Sequence, residues 1–120
     1  MSKFRIARIN ELLRRAISEI FLTELDFIKV HGLVITNVES SKDLGFCKIY
    51  FTIPNADKSI IESMTANLNK MHGRITALVS KKVKLKYMPE FRFYFDDTLQ
   101  KSLLIESLFR KIEDENHDTK

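Results

Sequence analysis

The 120-residue chain contains no tryptophan, one cysteine, two prolines and three glycines. The lone Cys47 excludes an intramolecular disulfide, and with the scattered histidines His31, His72 and His117 it forms no metal-ligand spacing. Neither redox chemistry nor structural zinc is expected. No internal repeat or low-complexity linker interrupts the chain. No apolar run approaches the roughly 18 to 20 residues that a membrane span requires. The opening MSKFRIARINELLRRAI holds no apolar block of secretory type, so a cytoplasmic location is expected. No Walker loop, dinucleotide fingerprint or nucleophile elbow occurs, and the chain reads as no enzyme with no cofactor.

What is present is a folded core. Nine phenylalanines, three tyrosines and 44% hydrophobic residues argue for one domain able to fold alone, over residues 1–112, with 113–120 as a polar, flexible tail. The tail EDENHDTK is acidic. It hides how basic the rest is: the net charge is +4 overall, but 19 basic against 12 acidic residues leave +7 over residues 1–112. The imbalance is clumped as well. The 27 positions from Ser63 to Pro89 contain no carboxylate, yet they hold Lys70, Arg74, Lys81, Lys82, Lys84 and Lys86. A second basic group, Lys3, Arg5, Arg8, Arg14 and Arg15, is opposed only by Glu11 before Glu19. Such asymmetry points to a polyanionic partner.

Ile6, Ile9, Leu13, Ile17 and Ile20 recur at spacings of three and four, which predicts an amphipathic helix over residues 4–22. LVITNV and FCKIYFTI then read as a hairpin around the turn formers Ser40, Ser41, Asp43 and Gly45, with Pro54 ending the second strand. Cys47, Ile49, Phe51 and Ile53 share one face of that strand. Ser59 and Glu62 have capping-box spacing, with Asp57 as a rival cap, for a helix striped by Ile61, Met64, Leu68 and Met71. The stripe continues in phase as Ile75, Leu78 and Val79, so Gly73 reads as a bend between two core-packed helices, or a close approach. From Lys82 the period becomes two, which predicts an extended segment with Val83, Leu85 and Tyr87 opposite the lysines. Phe91, Phe93 and Phe95 form a further strand, and a short last helix follows through Leu104 or Ile105, Leu108 and Ile112. The fold class is therefore α+β: a three-stranded sheet covered by helices in the order α-β-β-α-bend-α-β, plus a short C-terminal helix.

Asp96 and Asp97 are adjacent carboxylates, but neighbours one apart do not face each other, and a helix start accounts for both. Cys47 on a core face behaves as a small apolar residue rather than a nucleophile. His72 reads first as a surface residue at the bend. The basic run has the solvated face as its plain alternative. Missing carboxylates, and lysines following directly on a bent helix, favour a phosphate platform instead. Open alternatives are a protein-interaction module for an acidic partner and a general RNA binder.

SSKDLGFCKIYFTIP (40–54) and KMHGRITALVSKKVKLKYMPEFRFYFDDT (70–98) resemble, in order and spacing, two signatures of the ribosome-binding factor A family, and ARINELLRRAI is similar to that family's first helix. The resemblance spans about residues 4 to 112. It implies a KH-like domain of the second type and a monomer with no small-molecule substrate. The implied role is a non-enzymatic assembly factor that binds the free small (30S) ribosomal subunit near its neck and assists late maturation and 5′-end processing of 16S rRNA. Carried onto this chain, the expected RNA-binding residues are Lys70, His72, Gly73, Arg74, Lys81, Lys82, Lys84 and Lys86, with Arg5 and Arg8. The family's Ala-x-Gly bend reads Met71, His72, Gly73 here. Its Asp-Pro-Arg reads Phe27, Ile28, Lys29, its arginine after the bend is Thr76, and its late Gly-x-Arg reads Ser102, Leu103, Leu104.

Overall fold

Ile9, Leu13, Ile17 and Ile20 are buried along one side of helix α1 (Lys3–Thr23), with Ala16 and Phe21 beside them. An isolated helix of this length is marginal in water, so its stability comes from having a surface on which to lay that stripe. The computed structural model describes residues 3–25 and 32–118; His31 and the segment 27–29 lie outside the described residues.

Strands β1 (Val34–Ser40) and β2 (Phe46–Thr52) form the expected antiparallel hairpin, and β3 (Glu90–Phe95) runs parallel to β2 on its other side. Helices α2 (Lys58–Lys70) and α3 (His72–Ser80) connect β2 to β3, and α4 (Thr98–Asp118) follows. The architecture is α+β, with α1 on β1, α2 and α3 on β3, and α1 against α3. Cys47, Ile49, Phe51, Phe91 and Phe93 meet Met64, Leu68, Ile75 and Val79 in one core. Alternation puts Lys48, Tyr50, Arg92 and Tyr94 on the other face of the sheet, where the two tyrosine rings lie 5.8 Å apart.

Polar side chains fix the layers. Asn10 of α1 accepts the Ser40 amide at 2.9 Å. Asn69 of α2 accepts the Phe93 amide at 2.9 Å and donates to the Phe93 carbonyl at 3.0 Å, satisfying backbone groups on the outer edge of β3. A register shift between Ile35 and Asn37 frees Thr36 from the ladder, and its hydroxyl donates to Asp96 at 2.6 Å.

Asp57, and not the Ser59–Glu62 box, caps α2: its carboxylate accepts the Ile60 amide at 2.9 Å. The helix has already begun at Lys58, so Ser59 cannot take the extended backbone that a cap needs. The bend also moves. Met71 (φ −93°, ψ 7°) ends α2 and precedes α3, whereas Gly73 lies within the first turn of α3, with open space where a Cβ would stand. Gly73 therefore neither makes the bend nor relieves a close approach inside the chain. Gly32, at φ +67°, is the glycine whose backbone requires one.

Residues 82–88 are a loop rather than an extended basic segment. Val83 is buried and Leu85 half-buried, but Tyr87 is 75% exposed, because β3 already takes the place beside β2 and Asn69 sits on the outer edge of β3. Helix α4 runs through Asp118, past the expected end near Ile112, and packs against no other described element. Leu103, Leu104, Ile105, Leu108, Phe109 and Ile112 are 52–62% exposed along it, so this helix does not cover the sheet.

Candidate nucleic-acid interface

Two groups of cations flank α3. Lys70, the last residue of α2, and Arg74, in the first turn of α3, are exposed on either side of the Met71 bend, with His72 half-buried between them. The His72 carbonyl accepts the Thr76 hydroxyl at 2.7 Å, and no side chain caps the start of α3. Gly73 is exposed at the same place, leaving backbone open to an approaching group. Lys81 caps the far end of α3, about 10 Å along the axis from Arg74 at 1.5 Å per residue. Lys84 is exposed in the loop beyond it. Lys70, Arg74, Lys81 and Lys84 have no ion-pair partner among the described residues.

Lys82 is different. Its ammonium lies 3.0 Å from the Glu19 carboxylate, so α1 supplies the counter-charge that the local sequence lacks. Lys82, expected with its neighbours as a phosphate contact, thus carries a counter-charge that its neighbours lack: residues 63 apart in sequence meet because α1 packs against α3. Within α1, Glu11 is held by Arg14 at 2.6 Å and Arg15 at 3.1 Å. The Arg14 hydrogen bond is the largest cause that lowers the Glu11 carboxyl, to about 2; desolvation opposes it next, and the Arg15 bond and the two positive charges then add to the lowering. Arg5 and Arg8 are exposed in the first turns of the same helix.

The fold brings Arg5 to the other cluster. Arg5 and Lys86 line one cleft of about 260 Å³ together with Ile9, Asp43, Leu44, Leu85 and Tyr87. Arg8 does not line it. Sequence reasoning missed Glu19, Leu44 and Tyr87. Tyr87 alternates with Val83 and Leu85 and gives no local sign of facing water, and Glu19 looks like any solvated helix residue.

The remaining candidates are structural. Burial pushes the Cys47 thiol up to about 11, which leaves it protonated and inert at neutral pH. Asp96 accepts the Thr36 hydroxyl and the Thr98 hydroxyl and amide, and these bonds lower its carboxyl below the ordinary range. Asp97 pairs with Lys101 at 3.4 Å, one helical turn on. Both carboxylates thus serve the start of α4. Among the described residues no group of three His, Cys, Asp or Glu is placed to hold a metal, and no helix is long and apolar enough to cross a membrane.

A family model described as ribosome-binding factor A matches residues 5–109. The ribosome-binding factor A of Clostridium tetani is 35% identical over 122 residues, covering 100% of both chains. The crystal structure of ribosome-binding factor A from Thermus thermophilus superposes with a TM-score of 0.63 at 21% identity, over 74% of this chain and 93% of that one. A homology model of the Thermus thermophilus factor, fitted into a cryo-EM map of its complex with the 30S subunit, gives 0.56 at 20% identity, over 71% and 88%.

Proposed function

The chain belongs to the ribosome-binding factor A family, and from that premise we propose that it binds the free small ribosomal subunit and assists late maturation and 5′-end processing of the 16S rRNA. It does so in the cytoplasm, as a monomer, by binding rather than catalysis. The domain is read as KH-like of the second type; the order α-β-β-α-α-β, with β2 between an antiparallel and a parallel neighbour, supports that reading. The observation that carries the RNA contact is the series of exposed cations around α3 and its loop, Lys70, Arg74, Lys81, Lys84 and Lys86, within a stretch that has no carboxylate of its own. Each cation that neutralises a phosphate releases a counterion, so affinity built this way falls steeply with salt. A shaped site on the subunit supplies the specificity that so small a surface cannot read from base edges.

The test is co-sedimentation with purified small subunits across a salt series. Changing Lys81, Lys84 and Lys86 to Glu should remove co-sedimentation at moderate salt, and the corresponding Gln changes should reduce the logarithmic salt slope by about 2 to 3, at roughly 0.7 to 0.9 per contact. Lys82→Gln, which loses the Glu19 pair, should change the slope least. Unaltered sedimentation of the glutamate variant would remove this face from the interface.

A further inference from the structure

We propose that the uncovered face of the sheet is a stacking platform for unpaired RNA, with one base on the Tyr50 and Tyr94 rings, a second on the Arg92 guanidinium above Phe46, and a backbone phosphate at Lys48. This rests on the RNA-binding reading above and adds a second surface, on the side of the sheet away from α1, α2 and α3. Register brings these side chains together. Strands β2 and β3 run parallel with Lys48 beside Arg92 and Tyr50 beside Tyr94, while the intervening Cys47, Ile49, Phe51, Phe91 and Phe93 are buried on the helical side. No described element packs over the outward row.

Cross-strand aromatic pairs stabilise a sheet, but nothing in that role requires them to stay uncovered in a row with cations. Tyr94 is 39% exposed, and its ring centroid lies 5.8 Å from that of Tyr50 at an interplanar angle of 33°. The Arg92 guanidinium lies 4.5 Å from the centroid of the Phe46 ring, and Phe46 is four residues before Tyr50, about 13 Å along β2 at roughly 3.3 Å per residue. A guanidinium plane stacks a base much as an aromatic ring does. Lys48 stands between the two pairs on the middle strand, half-buried. The carboxylates of this face lie at its borders and are already engaged: Glu39, across the ladder from Lys48, accepts from Asn37 at 3.1 Å, Glu90 pairs with Arg92 at 3.4 Å, and Asp96 accepts from Thr36 and Thr98. The middle strand therefore presents rings and a cation with no acid among them. Stacking needs a π-face and a phosphate needs a cation, so this combination matches a single strand. The face also adjoins the cations around α3, because Asn69, one residue before Lys70, bonds the Phe93 backbone at the edge of β3. An acidic peptide would engage Lys48 but leave the rings unused. A base-paired strand would keep its π-faces within its own stack.

Because the chain has no tryptophan, Tyr94→Trp introduces a single indole that reports on stacking. A short mixed-sequence oligoribonucleotide should quench that emission, and the same strand annealed into a duplex should not. Tyr94→Ala should weaken binding of the oligoribonucleotide about tenfold without altering its salt slope, while Tyr94→Phe stays within about twofold of the parent. Tyr94→Thr, which keeps a side chain favoured in strands, should lose the same tenfold, and this separates lost stacking from lost strand stability. Lys48→Gln should lower the logarithmic salt slope by about 0.7, the single-strand value for one phosphate. If the parent sediments with small subunits while the indole is unquenched and Tyr94→Ala binds like the parent, the platform is overturned and the RNA-binding reading stands. If polyglutamate quenches the indole and the oligoribonucleotide does not, the face takes an acidic protein and the proposal fails. If the parent binds neither subunits nor oligoribonucleotide, both readings fall together.

Discussion

Helices α1 and α4 are each 21 residues long and each carries an apolar stripe at helical spacing, yet one is the backbone of the core and the other packs against no other described element. Ile9, Leu13, Ile17 and Ile20 of α1 are buried against the sheet and α3; Leu104, Ile105, Leu108 and Ile112 of α4 remain about half exposed. The contrast contributes to a long, thin molecule of 66 × 36 × 19 Å. It teaches that amphipathic periodicity offers a face without choosing a partner. For α1 the hairpin presents a matching apolar surface. For α4 the same sheet face is already filled by α1, α2 and α3, and the opposite face carries Lys48, Tyr50, Arg92 and Tyr94.

The strongest test of this contrast is paired truncation. Ile17→Ala in α1 should cost about 2 to 5 kcal/mol in denaturant unfolding, through lost burial and a cavity, whereas Leu108→Ala in α4 should stay within about 0.5 kcal/mol. A similar cost at both positions would mean that α4 docks on the core in solution. A smaller effect separates polar contacts in packed and unpacked helices. Asp57→Ala removes the cap of α2 and should cost about 1 kcal/mol, while Lys101→Ala, which breaks an exposed pair on α4, should cost less than about 0.5 kcal/mol.

The smallest effect is a titration. Arg14 and Arg15 lower the Glu11 carboxyl to about 2 when α1 is folded, below its ordinary value of 4.5. A lowered folded-state value means that the contribution is complete above the unfolded value and is lost as pH falls from about 4.5 through about 2. Following the Glu11 carboxyl carbon by NMR should give a midpoint near 2, and Arg14→Gln should return it toward 4.5. An ordinary midpoint in the parent would show that the pair does not persist on the surface of α1.

Much of the fold was legible in the residues because period and burial coincide wherever a face is covered. The β2 alternation of Cys47, Ile49 and Phe51, and the phase shared by Met64, Leu68, Ile75 and Val79, each describe one side of one layer. Legibility failed where the deciding partner is distant. The lysine at position 82 looked bare because Glu19 lies on another helix, and the alternation of Val83, Leu85 and Tyr87 suggested a strand although no ladder was left to join. Gly73 attracted the bend because glycine tolerates one, while the break is carried by Met71, just before the helix that holds the glycine.

The sequence by itself determined the α+β class, the order of elements, the basic excess around residues 70 to 86 and the core faces of α1, β2, α2, α3 and β3. These follow from local spacing and composition, which act through neighbours a few positions apart. Tertiary structure alone decided that Asn69 would close the edge of β3, that Arg5 and Lys86 would share a cleft, and that Tyr87 would stand in water beside it. It also decided that α4 would be left uncovered. Such outcomes depend on which surfaces meet once the chain has closed on itself, and a surface can be buried only once.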